Sequence, residues 1–91
     1  MALLWTHKAR ADLLRLHEFM RTVDTNVATR IARQLVAAAK RIPRRPRLGV
    51  RLWEFAPREV RRVLVGDYEI RYELTDQDLI VLRLFHARED R

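Results

Sequence analysis

The sequence predicts an α+β fold, in which a short strand and two helices precede an antiparallel sheet of three or four strands. Apolar residues recur every three or four positions over residues 9–42, which is the spacing of amphipathic helices. Over residues 67–74 the pattern becomes strict alternation, which is typical of a half-buried strand in an antiparallel sheet. The segment PRRPRLG, residues 43–49, separates the two patterns. We therefore expect the helices to pack on one face of the sheet.

The first half is expected to form a strand and a helical hairpin. ALLW, residues 2–5, is a short apolar strand, and Thr6 can cap the helix that follows because its hydroxyl accepts from an unpaired backbone N–H. TVDTN, residues 22–26, separates the two helices, and Pro43 ends the second one. Helices joined by so short a connection are expected to pack antiparallel. Their apolar stripes are Ala9, Leu13, Leu16, Met20 and Val23, then Val27, Ile31, Leu35, Ala38 and Ile42.

The second half is expected to form the sheet. Gly66 and Asp67 are typical turn residues, as is the TDQD stretch at residues 75–78. The last segment has apolar residues in consecutive positions, which favours a central strand buried on both faces. The candidate strands are residues 51–56, 59–65, 67–74 and 78–85.

Length and composition narrow the class of protein. With 91 residues the chain is expected to be one domain, residues 1–91. It has no cysteine, which excludes disulfides and thiolate metal sites and fits a cytoplasmic location. The apolar run at residues 2–5 is too short for a signal peptide or a membrane span. No zinc-ligand spacing, P-loop or GxGxxG motif occurs, so neither a cofactor nor a metal is expected.

The positive charge belongs to the first half of the chain. Residues 1–47 have eleven Lys/Arg and three Asp/Glu, whereas residues 48–91 have eight and nine. The densest cluster is KRIPRRPR, residues 40–47. Such a cluster attracts nucleic acid or an acidic protein. The alternative is the codon bias of a GC-rich genome, since seventeen of the nineteen basic residues are arginine.

Four stretches of the chain together resemble the RelE/ParE superfamily of toxins from bacterial type II toxin–antitoxin modules. No stretch is diagnostic alone, but their order within 91 residues is fairly specific. That order and the H-x-R ending are more similar to ParE than to RelE. The stretches are W-T-x-x-A-x-x-D-L at 5–13, P-x-x-G at 46–49, REVRRVLVGDYEIRYEL at 58–74 and LRLFHARED at 82–90.

For a ParE-like member, the resemblance implies a non-catalytic toxin that inhibits growth by binding and poisoning DNA gyrase. It also implies a cognate acidic antitoxin, with a helix against the 9–42 hairpin and an extended segment against the sheet. Candidate contacts with gyrase are Arg58, Arg61, Arg71, Arg88 and Arg91. Candidate contacts with the antitoxin are Leu13, Leu16, Met20, Ile31, Leu35 and Trp53.

The alternative implied by the resemblance is a RelE-like ribonuclease that cuts messenger RNA on the ribosome. Such an enzyme needs a base for the ribose 2′-OH, cations for the phosphorane charge and a donor for the leaving oxygen. Glu69 stands where RelE-type toxins have an arginine, and no tyrosine follows Tyr72. No catalytic set is therefore favoured. If the chain is a ribonuclease, the candidates are Arg62, His86, Arg88 and Glu59. Direct nucleic-acid binding by residues 40–47 is a third, secondary hypothesis.

Several residues also have purely structural interpretations. His86 is expected at the edge of the core, hydrogen-bonded to a neighbouring strand or a carboxylate. Arg83 lies between apolar residues in the sequence and is expected to pair with Glu54, Glu69 or Glu73. Trp53 and Phe55 are expected in the core rather than as surfaces on which bases stack.

Overall fold

The computed structural model describes residues 1–89 as two helices packed on one face of a five-stranded sheet. The sheet order is β1-β5-β4-β3-β2. β1 runs parallel to β5, and the other neighbouring pairs are antiparallel. The predicted α+β class is confirmed, but the sheet has five strands rather than three or four and is mixed, because β1 joins it parallel to β5. In chain order the elements are β1 (Ala2–Trp5), α1 (His7–Arg21), α2 (Thr25–Arg41), a 3-10 helix (Ile42–Arg44), β2 (Val50–Arg51), a 3-10 helix (Trp53–Phe55), β3 (Glu59–Val65), β4 (Tyr68–Leu74) and β5 (Asp78–His86).

α1 begins after the predicted cap, Thr6, and α2 begins after Asp24, which lies in the TVDTN stretch between the helices. The Thr6 hydroxyl accepts from the Ala9 N–H and donates to the Leu82 carbonyl, so it also joins α1 to the sheet. The Asp24 carboxylate accepts from two N–H groups in the first turn of α2. Val23, expected on the apolar stripe, is 74% exposed. That prediction is wrong because α1 ends at Arg21, so helical spacing no longer sets the direction of the Val23 side chain.

The core lies between the helical hairpin and the sheet. The core includes Leu35 of α2, Ile70 and Tyr72 of β4, and Leu79 and Leu84 of β5, all of them fully buried. The predicted stripes are therefore mostly correct for both helices. Within residues 1–89, no helix is long and apolar enough to cross a membrane.

The Tyr72 hydroxyl fixes the 43–49 segment onto the sheet. It donates to the Pro46 carbonyl at 2.7 Å and accepts from the Gly49 N–H at 3.0 Å. Burial raises the pKa of Tyr72, so the phenol keeps the proton that it donates. A Cβ on Gly49 would lie 2.6 Å from the Arg62 carbonyl oxygen and 2.7 Å from the Tyr72 hydroxyl. The P-x-x-G spacing thus has a structural cause, because Pro46 and Gly49 both bond to one buried hydroxyl.

The predicted strand at residues 51–56 is wrong. Only Val50 and Arg51 pair with β3, and the chain then turns through Trp53–Phe55. The Phe55 and Ala56 N–H groups donate to carbonyls three residues earlier, so they do not take part in a ladder. Trp53 is 67% exposed and lies under the Arg51 guanidinium at 4.0 Å. Its expected core position is therefore also wrong.

A β-bulge in β5 changes which residues face the helices. Arg71 is opposite Arg83, but the next residue, Tyr72, is opposite Val81, so Leu82 is the extra residue. Val81 and Leu84 therefore both join the core. Arg83, opposite Arg71, is turned to the other face of the sheet, which the helices leave uncovered.

The Asp12 carboxylate joins α1 to the part of β5 that β1 does not reach. β1 pairs with β5 only as far as Val81. Beyond it, Asp12 Oδ2 accepts from the Leu84 N–H at 3.0 Å and from Arg83 Nε at 2.7 Å. Asp12 Oδ1 accepts from Arg83 Nη2 and from Arg15 Nη2. One buried side chain therefore accepts a hydrogen bond from a backbone N–H at the strand edge and also pairs with two arginines.

The predicted partners of Arg83 are therefore wrong. Glu54, Glu69 and Glu73 were expected, because a sheet residue normally pairs with a neighbouring strand. The actual partner, Asp12, lies on α1, where β1 has stopped and the helix runs beside β5. Burial opposes ionisation of Asp12, but the bonds from Arg83, Leu84 and Arg15 outweigh it, so the pKa of Asp12 lies below its ordinary value of 3.8.

We predict that Asp12→Asn lowers the free energy of unfolding by about 2–3 kcal/mol at pH 7, since it removes a charged acceptor from a buried network. Because the folded-state pKa is lowered, this stabilisation is complete above the unfolded pKa and is lost as the pH falls through the folded value. Urea unfolding should therefore give a difference from wild type that narrows below about pH 4. Glu18→Gln, which breaks the exposed Glu18–Arg21 pair, should cost under about 0.5 kcal/mol. Equal losses for the two variants would contradict the role of Asp12.

Candidate interaction surfaces

The uncovered face of the sheet, which we call the open face, contains a broad concavity. Its volume is about 890 Å³. The floor combines Phe55 and Phe85 with Leu82, and basic side chains surround them. Among residues 1–89, Glu89 is the one acidic residue of the lining. The lining residues are Thr6, Lys8, Arg15, Phe55, Arg58, Arg71, Leu82, Arg83, Phe85 and Glu89.

The arginines of this concavity are fixed by aromatic rings and carboxylates. The Arg71 guanidinium lies 5.7 Å from the Phe55 ring centroid and 5.1 Å from that of Phe85. Arg83 lies 4.8 Å from the same Phe85 ring. These cation–π contacts hold the guanidinium groups in fixed places on the aromatic floor. The concavity therefore presents a preorganised surface of arginine and phenylalanine, residue types enriched in protein interfaces.

Most of the positive charge in the concavity is compensated nearby. Arg58 pairs with Glu73 at 2.8 Å and Arg71 with Glu69 at 3.0 Å. Arg15 and Arg83 share Asp12, and Arg15 also pairs with Glu89. Within residues 1–89, Lys8 is the only cation of this lining without an ion pair. The concavity therefore suits a partner with polar and apolar groups better than a phosphate chain.

Glu69 is buried rather than presented to a ligand. Its side chain is 1% exposed and lies between Arg71 at 3.0 Å and Arg62 at 3.5 Å. An exposed carboxylate at this position would repel a phosphate. In the structure Glu69 acts instead by binding Arg62 and Arg71, so the two arginines are engaged internally.

The structure does not bring the four ribonuclease candidates together. Glu59 is opposite Leu74 at one end of β4, and His86 is opposite Tyr68 at the other end. Six residues of strand separate these positions, which corresponds to about 20 Å. Arg62 lies near the middle of β3 on the open face, bound to Glu69. An acid and a base this far apart cannot act on one phosphodiester.

The immediate surroundings of Glu59 and His86 point to structural roles. A hydrogen bond from Arg61 and one from Arg47 lower the pKa of Glu59 despite its partial burial, which makes it a poorer base. His86 lies at the edge of the core, as expected. Its ring meets the Tyr68 ring edge-on at 5.1 Å, and its Nδ1 accepts from the Arg88 N–H. The partner of His86 is thus the following turn rather than a carboxylate.

The structure brings together two of the five residues predicted to contact gyrase. Arg58 and Arg71 both line the open-face concavity. Arg61 is directed elsewhere, bonded to Glu59 and to the Gly49 carbonyl. Arg88 is exposed in the turn after β5. Arg91 lies outside the described residues.

Sequence reasoning missed several residues of the concavity, chiefly Lys8, Arg15 and Phe85. Arg15 had a detectable signal, because it follows Asp12 by three positions and shares its side of α1. The sequence contains no such signal for Phe85, because the bulge in β5 determines which face of the sheet Phe85 occupies.

A second surface lies along the free edge of β3 and is called here the β3-edge groove. β2 pairs only with Arg61 and Arg62, so no strand of the described chain covers the edge at residues 63–65. The groove has a volume of about 420 Å³ and combines apolar side chains with three arginines. Its exposed leucines are Leu48 and Leu64. The lining residues are Ala38, Arg41, Ile42, Arg44, Arg45, Leu48, Val63, Leu64 and Val65.

The residues predicted to contact an antitoxin divide by burial. Leu16 and Leu35 lie in the core and are unavailable to a partner docking on the surface. Leu13, Met20 and Ile31 are half-buried, and Trp53 is exposed. The predicted stripes selected the side chains that hold the hairpin to the sheet, because an apolar helical pattern identifies the covered face and not a free one. Among residues 1–89, no group of His, Cys, Asp or Glu could hold a metal ion.

Comparison with known proteins identifies the family. The family model described as "ParE toxin of type II toxin-antitoxin system, parDE" matches residues 3–91. A solved chain described as "Chromosomal ParDE TA system from P. aeruginosa" has the same fold, with a TM-score of 0.82, 20% sequence identity and coverage of 97% of each chain. No curated protein sequence matches significantly. The chain therefore belongs to the family of ParE toxins of type II toxin–antitoxin systems.

Proposed function

We propose that this ParE toxin inhibits growth by binding and poisoning DNA gyrase, and that a cognate acidic antitoxin neutralises it. The observation behind the proposal is the match of nearly the whole chain to the ParE family. The characterised members of that family typically inhibit gyrase. The open face supports a binding function. Its arginines are tied to carboxylates and aromatic rings, and the ribonuclease candidates lie too far apart to act together.

We infer that gyrase contacts the open-face concavity. A preorganised surface loses little side-chain entropy on binding, because Arg71 and Arg83 are already fixed over Phe85. Lys8 adds a cation that has no internal partner within the described chain and is therefore available to a carboxylate on the target. The Arg58–Glu73 pair lies at the exposed rim, where such pairs contribute more to specificity than to affinity.

The β3-edge groove supports the antitoxin part of the proposal. An extended peptide can add a strand to the free edge at residues 63–65, with its alternate side chains entering the groove. Leu48 and Leu64 supply apolar contact, and Arg41, Arg44 and Arg45 have no ion pair among residues 1–89. An acidic, partly apolar segment complements both the positive charge and the apolar surface of the groove.

A second apolar area lies at the turn between the helices. Phe19, in the last turn of α1, and Val23, in the turn that follows it, are both exposed. An antitoxin helix against the hairpin would cover them. Coupled folding of an antitoxin segment costs several kcal/mol, about 2–5, so burial of both the groove and this turn would help to offset the cost.

Replacing Leu64 should weaken antitoxin binding and leave the rest of the toxin unchanged. Leu64→Lys places a charge in the groove without touching the core, since Leu64 is 63% exposed. We predict that affinity for the cognate antitoxin, measured by calorimetry, falls at least about tenfold, which corresponds to about 1.4 kcal/mol. The matched control is Leu4→Lys, an exposed leucine on the opposite edge strand, which should change affinity less than twofold. Equal effects of the two variants would contradict docking in the groove.

Purified toxin should inhibit gyrase supercoiling or trap cleaved DNA complexes, and it should leave ribosome-bound messenger RNA intact. Lys8→Glu should weaken gyrase inhibition about tenfold if the open face makes the contact, because it reverses the concavity's unpaired cation. The matched control, Arg10→Glu, reverses a charge two residues away on the exposed side of α1 and should stay within twofold. Messenger cleavage that is lost in His86→Ala or Arg88→Ala would establish the ribonuclease alternative instead.

A further inference from the structure

The exposed side of α2 is a straight row of cations without any acidic residue. Arg30, Arg33, Ala37, Arg41 and Arg44 follow one another at spacings of three, four, four and three, which is one face of a helix. Lys40 lies beside this line, and all six positions are exposed. The 3-10 helix at Ile42–Arg44 continues α2 and extends the row to Arg44. From Arg30 to Arg44 the row is about 20 Å long. We call these five basic residues the α2 cation row.

The charge of the α2 cation row is not compensated. Residues 25–41 contain no Asp or Glu at all, and the nearest acid in sequence, Asp24, is engaged in capping the helix. In the part of the chain that the structure describes, no residue of the row has an ion pair. The open face, by contrast, has carboxylates beside nearly every arginine. Five of the nineteen basic residues therefore lie along one helical surface without a neighbouring carboxylate among residues 1–89.

The other exposed groups of α2 fit a phosphate backbone better than a protein. Beside the row runs a shallow groove of about 700 Å³ lined by Asn26, Thr29, Arg30, Arg33, Gln34 and Ala37. The amide and hydroxyl groups can donate to phosphate oxygens, and Ala37 leaves room for close approach. The exposed side chains of α2 include no apolar group larger than alanine. A protein partner would lack the apolar centre that stable interfaces have.

We propose that the α2 cation row binds the phosphate backbone of duplex nucleic acid without reading its sequence. The row has no aromatic residue on which unpaired bases could stack, which argues against a single-stranded ligand. Its rigid, linear form suits the regular phosphates of a duplex. This surface lies on the helical layer, whereas the open-face concavity lies on the opposite face of the sheet, so a toxin bound to its protein target can hold DNA at the same time.

The test is fluorescence anisotropy of the full-length toxin with a duplex DNA of about 25 base pairs at several salt concentrations. If four or five phosphates are contacted, the slope of log K against log salt is about −4, and each lost contact reduces it by about 0.9. We expect Arg30→Gln/Arg33→Gln to reduce the slope to about −2 and to weaken binding at least tenfold. These two residues lie outside the β3-edge groove, so the variant should keep its affinity for the antitoxin.

The matched control is Arg10→Gln/Arg21→Gln, which removes the same charge from the exposed surface of α1. It should leave the slope unchanged and the affinity within threefold. Duplex RNA of the same length should bind with a similar slope, since the backbone is the shared ligand. Equal losses for the two double variants, tighter binding of single-stranded DNA, equal competition by polyglutamate, or loss of antitoxin affinity in Arg30→Gln/Arg33→Gln would each overturn the proposal.

Discussion

One buried carboxylate, that of Asp12, determines how the helical layer meets the sheet. β1 covers the edge of β5 only as far as Val81, and beyond that point the strand would expose its N–H groups. Asp12 satisfies the Leu84 N–H, fixes Arg83 on the open face and orients Arg15 toward Glu89. The position of α1, one wall of the open-face concavity and the turn after β5 therefore all depend on it.

The basic residues serve different purposes according to how they are compensated. On the open face, carboxylates and phenyl rings hold the arginines, which gives a rigid surface with little free charge. In the β3-edge groove, free arginines stand beside exposed leucines, a combination suited to an acidic amphipathic segment. Along α2 the cations have no neighbouring carboxylate, and Arg41 and Arg44 at the end of the row also line the β3-edge groove. The net charge of +7 is therefore divided among surfaces on which the basic side chains have different surroundings.

Local pattern predicted the helices, their caps and the strands after residue 58, because each depends on residues close in sequence. The local pattern failed where contacts between residues distant in sequence determine the structure. The bulge at Leu82 reverses the faces of the following residues, and the turn at Trp53–Phe55 replaces an apparent strand. The pairing of Arg83 with Asp12 joins residues 71 positions apart. The candidate surfaces were harder to predict than the fold, because an apolar stripe indicates the covered side of a helix. Leu16 and Leu35, which are buried, illustrate this.

The most direct test of this account is a double-mutant cycle on Asp12→Asn and Arg83→Gln, with unfolding free energies measured in urea at pH 7. Residues within one hydrogen-bonded network typically show interaction energies of about 0.5–3 kcal/mol. The account predicts a coupling of at least about 1.5 kcal/mol, because the two side chains share two hydrogen bonds in a partly buried site. Additive effects within about 0.5 kcal/mol would contradict it, since the Asp12–Arg83 pair would then contribute nothing to the attachment of α1 to β5.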